Sequence, residues 1–510
     1  MTSSKTNPWI IAAVASLATF MEVLDTTITN VSLRHIAGSL GAGEDESTWV
    51  LTSYLVANGI ILPLSGWISD AIGRKRFFIG CIVGFTAASF LCGAASSLTE
   101  IIIFRILQGL FGGGLQPTQQ AIILDTFPPE KRGTVFAITG VTIIIAPILG
   151  PTLGGLITDN FSWRWIFYIN VPVGLMAAFM VWRLLDESSQ QAARGFRNID
   201  VFGLALVTLG LAALQIVLDK GQQEDWFSSS FITVWALLCF VSLSVAIIWL
   251  WGQKDPIIDL SLFKNWAFAS SCILIFLTGF VLYGTNVILP LMLQTQYGYD
   301  ATLAGLVLSP GGLALLFLMP LCGKLIGKIQ ARFMIMIGFA LSALGMYHSM
   351  NFTPQTDFNT FQWIRLSQVL GLPFLFISIS TLAFSKIPKE KSNKASALFA
   401  LFRNIGGSVG IAMVTTFAVR QQQVHQHYLV EHLVPGQLPY QELLNRIIDS
   451  TGDIGVSMGK IYQMLQRQAA LCAYIDTFEL LGYIMCTLIF FALLVLPANR
   501  PGAADAPMAH

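Results

Sequence analysis

Apolar stretches about as long as a bilayer is thick recur from one end of this chain to the other, and they constrain its fold more than any other feature. The first runs from Trp9 toward Asn30. Others lie near 48–69, 77–95, 99–125, 134–157, 163–184, 200–219, 231–251, 267–294, 301–327, 331–350, 361–385, 395–419 and 470–497, which makes fourteen. A helix crossing the hydrocarbon needs about 20 such residues, so fourteen of them occupy about 280 positions. The composition has room for them, with 54% of the 510 residues hydrophobic and only 11% charged. Within lipid each segment must satisfy its own backbone polar groups, so the expected class is an all-α membrane protein. A mean hydropathy of +0.67 excludes an ordinary soluble enzyme. The first run exceeds a signal peptide's apolar core and lacks a convincing cleavage site after it, so it reads as a retained helix.

Twenty-nine Lys and Arg nearly balance 28 Asp and Glu, so no polybasic or polyacidic tail points to nucleic acid. The positive charges are unevenly placed. Arg74, Lys75, Arg76, Lys131, Arg132, Lys386, Lys391 and Lys394 fall in alternate loops, while the intervening short loops hold only Arg34, Arg164 and Lys220. The positive-inside rule then places both termini in the cytoplasm. The seven cysteines lie in or beside apolar runs without a C-x-x-C pair and read as small hydrophobes. His425, His427 and His432 share a polar loop without acid or thiol partners at ligand spacing, so no metal site is expected.

A repeat emerges at one offset. Arg105, Gln108, Pro128, Glu130 and Lys131 recur as Arg365, Gln368, Pro388, Glu390 and Lys391, each 260 positions on. Each copy is a charged helix followed by a basic loop and another helix, the kind of internal duplication on which secondary transporters are built. The expected organisation is two six-helix bundles, 1–190 and 265–510, flanking an inserted helix pair at 191–264. A polar, Gln-rich and partly amphipathic segment at 420–469 is far longer than a helix connection requires and faces outward.

Charges inside apolar spans are costly and mark function by default. Glu22 and Asp25 lie three residues apart on one face of the first span, which Thr29 continues. A desolvated carboxyl can bind and release a proton near neutrality, and a neighbouring cation tunes it. Arg105, Gln108, Gly112, Gln116 and Gln119 line one face of the fourth span at three- and four-residue spacing. Arg105 is the candidate cation, and Thr29, Gln108, Gln116 and Gln119 are candidate cavity residues. Arg365, Gln368, Arg403 and Asn404 form a weaker second-half counterpart, and Asp476 with Glu479 puts two acids in the last span. Gly406 to Gly410 satisfies G-x-S-x-G but lies in an apolar helix, where a nucleophile elbow cannot form. With no Walker A, H-E-x-x-H or dinucleotide fingerprint either, no enzyme chemistry is expected.

Gly66, Asp70, Gly73 and Arg74 stand together at the end of the second span, in Gly66 to Arg76. This segment resembles the loop signature of the major facilitator superfamily, in which the aspartate belongs to an interdomain latch; the second-half equivalent near Gly323 to Lys328 lacks it. Arg105 to Gly109 is similar to the family's fourth-helix motif, whose arginine is implicated in proton coupling. The run containing Pro147, Gly150, Pro151, Gly154 and Gly155 resembles the fifth-helix motif of antiporters. Leu24 to Val31 and Trp163 to Pro172 resemble signatures of the fourteen-helix drug/proton antiporters, and Asp225 to Ser228 and Pro256 to Phe263 those of EmrB-type multidrug exporters.

The resemblance implies a proton-coupled antiporter that exports hydrophobic or amphipathic drugs and toxic compounds across a bacterial inner membrane. Asp25, Glu22 and Arg105 would be its proton-coupling residues, the proton gradient its driving force in place of any cofactor, and two six-helix bundles plus two helices its fold. The implied partners are the lipid bilayer and, in a Gram-negative host, an EmrA-type periplasmic adaptor and an outer-membrane channel. A metabolite or siderophore exporter on the same scaffold, or a membrane sensor or assembly protein without transport, stays open as an alternative.

Overall fold

A computed structural model describes residues 7–42, 44–185, 200–253, 256–326, 328–431, 433–434 and 436–495. The expected boundary at 190–191 and His432 lie outside them. Among the described residues the chain is all-helical, with fourteen long helices. They are α1 (Pro8–Leu40), α2 (Trp49–Ile72), α3 (Arg74–Ala94), α4 (Leu98–Thr126), α5 (Pro129–Asn160), α6 (Trp165–Leu184), α7 (Val201–Lys220), α8 (Ser230–Trp251), α9 (Trp266–Gln296), α10 (Ala301–Leu325), α11 (Ala331–Ser349), α12 (Phe358–Ala383), α13 (Ser392–Glu431) and α14 (Ile454–Val495). All except α5, itself 32 residues long, are both long and apolar enough over their described residues to cross a membrane.

Local chemistry sets several boundaries. Asn7 caps α1 by accepting a hydrogen bond from the Trp9 amide, with Pro8 at the first helical position, where its missing N–H costs nothing. Ser97 accepts from the Glu100 amide while the Glu100 carboxylate reaches back to Ser96 N, so α4 begins on reciprocal capping bonds. Asp200, Asn265 and Asp300 cap α7, α9 and α10 by accepting from the amides of Gly203, Ala267 and Leu303. Gly73 turns the chain between α2 and α3 at φ +93°, a conformation that a side chain would strain.

The bundle's exterior is apolar. Phe179, Trp182, Leu237, Phe240, Ile248, Phe317, Phe490 and Leu494 each expose more than half of their surface. So continuous an exposed apolar surface is incompatible with water and suits lipid, and the chain is a multi-pass membrane protein. All seven cysteines are free; five are buried, Cys472 is half-buried and Cys486 is exposed on the exterior.

The halves α1–α6 and α9–α14 meet chiefly through α5 against α10 and α13 against α2. Under the repeat, α2 corresponds to α10 and α5 to α13, so these two contacts are one contact made twice. The inserted pair is not peripheral to both halves alike. Helix α7 packs on α2 and also touches α13, where Ser408 donates to Gln215 at 3.1 Å, while α8 lies on α7. Lys220, expected in a short outer loop, is buried: its ammonium donates to Thr48 and Gln223 and sits 5.1 Å from the Trp49 ring centre. The connection after α8 is pinned to the start of α13, where Lys391 pairs with Asp259 at 2.7 Å and Lys394 donates to the Pro256 carbonyl. Burial works against the Asp259 charge, but the bonds from Lys391 and Ser261 outweigh it and hold the carboxyl below its usual range.

The segment at 420–469 is more ordered than a loop. Helix α13 continues to Glu431, α14 begins at Ile454, and a short helix, Leu438–Thr451, lies between them. Gln422 to Gln466 and His425 to Asp476, at 2.6 Å, tie the two long helices together.

Close helix contact depends on missing side chains. A Cβ at Gly406 or Gly410 of α13 would run into the backbone of Phe276 or Phe280 on α9. Gly406→Leu should therefore destabilise the second half by about 1–3 kcal/mol, as overpacking does, and lower the melting temperature of the detergent-solubilised protein. Gly80→Leu, where the added side chain meets open space, should leave it nearly unchanged. Equal melting temperatures for the two variants would refute this packing.

Candidate functional site

The site is built where α1, α2, α4 and α6 converge. Asp25 and Arg105 are 1% and 0% exposed and form an ion pair, Arg105 Nη1 to Asp25 Oδ2, at 2.6 Å. The remaining valences of the pair are almost all used. Gln108 Nε2 and Asn170 Nδ2 donate to Asp25 Oδ1 at 3.0 and 2.7 Å. Arg105 Nε donates to the Val50 carbonyl at 3.1 Å, and Nη1 also reaches Gln108 Oε1 at 2.8 Å. The guanidinium carbon lies 4.2 Å from the centre of the Tyr54 ring, a cation–π contact. A buried charge is tolerable only when it is paired and hydrogen-bonded, and here it is both.

Glycines make this convergence possible. A Cβ at Gly109 or Gly113 would collide with the α2 backbone at Tyr54 or Asn58, so α4 can lie against α2 only without one. On the opposite side of α1, Gly150 of α5 faces the Thr27 side chain and Gly154 faces Ile28. Gly150 and Gly154 thus seat α5 on the stretch of α1 that carries Asp25. The side chains of Pro147 and Pro151 lie outside the described residues.

Glu22 occupies a separate position one turn toward the start of α1. Its Oε1 accepts from Asn58 at 3.0 Å and from Tyr54 at 3.4 Å, and its Oε2 is buried without a hydrogen-bond partner. The four expected cavity residues, Thr29, Gln108, Gln116 and Gln119, are all buried in this conformation. Thr29 donates to the Asp25 carbonyl of its own helix, Gln108 serves the ion pair, and Gln119 bonds Ser16 and Thr19 of α1. Gln108 and Gln119 thus join α4 to α1, because amides in an apolar interior turn to the nearest polar partner.

The four latch residues gather at the end of the bundle that bears the basic loops. Asp70 accepts from Asn393, while Arg74 donates to Asp125, Ser392, Asn393 and the Ala121 carbonyl. The added Cβ at Gly66 would sit 3.0 Å from the backbone of Asn393 and Lys394. One cluster thus bolts α2, α3 and α4 to the start of α13 across the two halves. A cavity of about 340 Å³ beside it is lined by residues including Asp70, Trp251, Asp259, Lys264, Lys391 and Lys394.

Asn170, Asn58, Tyr54, Asp125 and Asn393 escaped sequence reasoning as site residues. Asn170 did carry a signal, since it lies in the Trp163 to Pro172 signature. The others are polar residues on amphipathic turns whose partners lie far away in the chain, and no spacing rule reveals such pairs.

Comparison with known proteins agrees with this geometry. The sequence profile of the Major Facilitator Superfamily matches residues 15–411. The multidrug export protein EmrB of Escherichia coli (strain K12) is 39% identical over 427 residues, which is 84% of this chain and 83% of that protein. The fatty acid resistance protein FarB of Neisseria gonorrhoeae is 36% identical over 487 residues, 95% of this chain and 96% of its own. Among solved structures, the proton:xylose symporter XylE superposes with a TM-score of 0.59 at 16% identity, covering 94% of this chain and 96% of that one. Two six-helix halves meeting through exchanged helix pairs, the bolted Gly66 to Arg74 turn and a profile match over most of the length converge on one conclusion: the chain belongs to the major facilitator superfamily.

Proposed function

We propose that the chain is a proton-driven antiporter that exports hydrophobic or amphipathic drugs and toxic compounds across the bacterial inner membrane, with both termini in the cytoplasm. The observation that carries the reading is the fully buried Asp25–Arg105 pair, tied to α1, α2, α4 and α6 at once. A proton arriving on Asp25 removes the negative charge that holds Arg105, Gln108 and Asn170. Arg105 is then a buried cation without its counter-ion, and the four helices lose the reason for their present arrangement. Protonation is thereby coupled to helix movement, which alternating access requires. The latch of Asp70, Arg74, Asp125 and Asn393 closes the cytoplasmic end in this arrangement and must break for that end to open. EmrB's name as a multidrug exporter supports export as the direction, and FarB's supports lipophilic cargo. No cofactor is needed, since the gradient supplies the free energy.

Asp25→Asn should abolish proton-gradient-driven uptake of lipophilic dyes into inverted vesicles while the protein remains folded and inserted. Arg105→Ala should reduce uptake by about tenfold or more, the scale of a lost charge-assisted hydrogen bond. Arg105→Lys should retain part of the activity, because a cation remains without the planar fork. Wild-type uptake by Asp25→Asn, measured beside a collapsed-gradient control, would sink the assignment.

The far end supplies the adaptor surface in this reading. Helix Leu438–Thr451 has no fully buried residue and packs against α14, beyond the bilayer in this reading. Replacing Leu438–Thr451 with a Gly/Ser linker should reduce co-purification of an EmrA-type adaptor and whole-cell resistance, and leave transport in liposomes intact. Unchanged adaptor co-purification would refute docking at this helix.

A further inference from the structure

The two halves of the repeat are alike in geometry and unlike in charge. Arg105 donates to Gln108 three residues on, at 2.8 Å, and Arg365 donates to Gln368 at 3.1 Å. In the first half the arginine's other side-chain partner is the Asp25 carboxylate. In the second it is the side-chain oxygen of Asn286 on α9, which is neutral. Helices α9 to α13 contain one acidic residue, Glu431, at the far tip of α13. Arg365 is buried, 1% exposed, and its side-chain partners Gln368 and Asn286 are both neutral.

Arg403 on α13 adds a second such charge. It is 1% exposed, and its Nε and Nη2 have no hydrogen-bond partner; Arg365 Nε and Asn286 Nδ2 are likewise orphaned. Arg403 lies within electrostatic reach of Glu22 across the interface between the halves and of the Tyr283 hydroxyl. Glu22 in turn has one oxygen unbonded. With Asp25 and Arg105 neutralising each other, Glu22 is left to balance two arginines, and the centre of the bundle keeps a positive charge. Orphaned donors and an unbalanced cation are strongly unfavourable in a dry interior unless another anion completes them. Beside them, Tyr283, Asn286, Val287 and Pro290 are half-buried at three- and four-residue spacing along one face of α9. That face is mainly apolar, with a phenol and an amide at its inner end.

We propose that Arg403, beside Tyr283, binds the anionic headgroup of a lipophilic organic acid, whose apolar tail lies along the Tyr283 to Pro290 face. The inference rests on the exporter reading and names its substrate class. A guanidinium fork with two free nitrogens matches the paired oxygens of a carboxylate or sulfonate. Glu22 is the anion that Arg403 faces when the site is empty, so a bound headgroup competes with it. A neutral drug would leave the charge unbalanced, and a cationic one would increase it.

The test is equilibrium binding to the full chain in phosphatidylcholine nanodiscs, read by tryptophan fluorescence, of three probes sharing one alkyl tail: dodecanesulfonate, dodecanol and dodecyltrimethylammonium. Wild type should bind the sulfonate most tightly. Arg403→Gln should weaken the sulfonate about tenfold or more and leave dodecanol unchanged, and Arg403→Lys should recover part of the loss. Glu22→Gln should tighten the sulfonate without touching Arg403, so the proposal stays testable even if Arg403→Gln does not fold. Tighter binding of the ammonium than of the sulfonate by wild type, or no response of sulfonate affinity to Glu22→Gln, would overturn it. Proton-driven efflux of a cationic dye with no sulfonate binding would overturn this site and leave the exporter reading standing. Sulfonate binding with no gradient-driven movement of any lipophilic compound would uphold the site and overturn the exporter reading.

Discussion

The Asp25–Arg105 ion pair is the interaction on which the first half of this protein depends. Both groups lie in the apolar interior, and neither charge could stay there alone; removing one partner of a buried pair typically costs about 3–5 kcal/mol. Their mutual neutralisation is therefore a condition for α1 and α4 to pack as they do. Because Arg105 also holds the Val50 carbonyl and Asn170 also holds Asp25 and Ser89, the positions of α2, α3 and α6 follow from the same pair. One charge–charge contact thus sets the register of five helices, and a change in its protonation reaches all of them.

Around that polar centre, the helices are held by contact so close that only glycine fits. Gly109 and Gly113 bring α4 onto α2, Gly150 and Gly154 bring α5 onto α1, and Gly406 and Gly410 bring α13 onto α9. In lipid there is no hydrophobic drive to press helices together, so backbone approach and interhelical hydrogen bonds carry the association. Between the halves, α5 packs on α10 and α13 on α2, with Gly305 and Gly66 at the closest approaches. At the basic end a compact polar cluster, Asp70, Arg74, Asp125, Ser392 and Asn393, bridges them. A cluster of directional polar bonds can break as a unit when one bundle moves against the other, whereas the glycine seams within each half hold that half together as a rigid body.

The inserted helices fit this division only in part. Through Asp219 to Thr52 and Lys220 to Thr48, α7 attaches to α2 of the first half, while Gln215 accepts from Ser408 and Trp226 donates to Thr416 on α13 of the second. The pair straddles the seam between the bundles, and the connection after it is clamped to α13 by Lys391 and Lys394. Any motion of one half against the other must exchange some of these bonds.

Much of this was legible in the chain itself. Apolar run length decides the number of helices because lipid permits only internally satisfied segments, and Glu22, Asp25 and Arg105 stand out because charge in such runs is expensive. The 260-residue repeat and the Gly66 to Arg74 turn were equally readable, since residue identity and spacing alone define both. Which polar groups meet was decided only by tertiary structure. That Gln108 and Gln119 turn to α1, that Asn170 shares Asp25, that Asn393 receives Arg74, and that Arg365 meets an amide where Arg105 meets an acid all join residues remote in sequence. Helical periodicity assigns a residue to a face; the partner of that face depends on how helices far apart in the chain cross, and no local pattern encodes that.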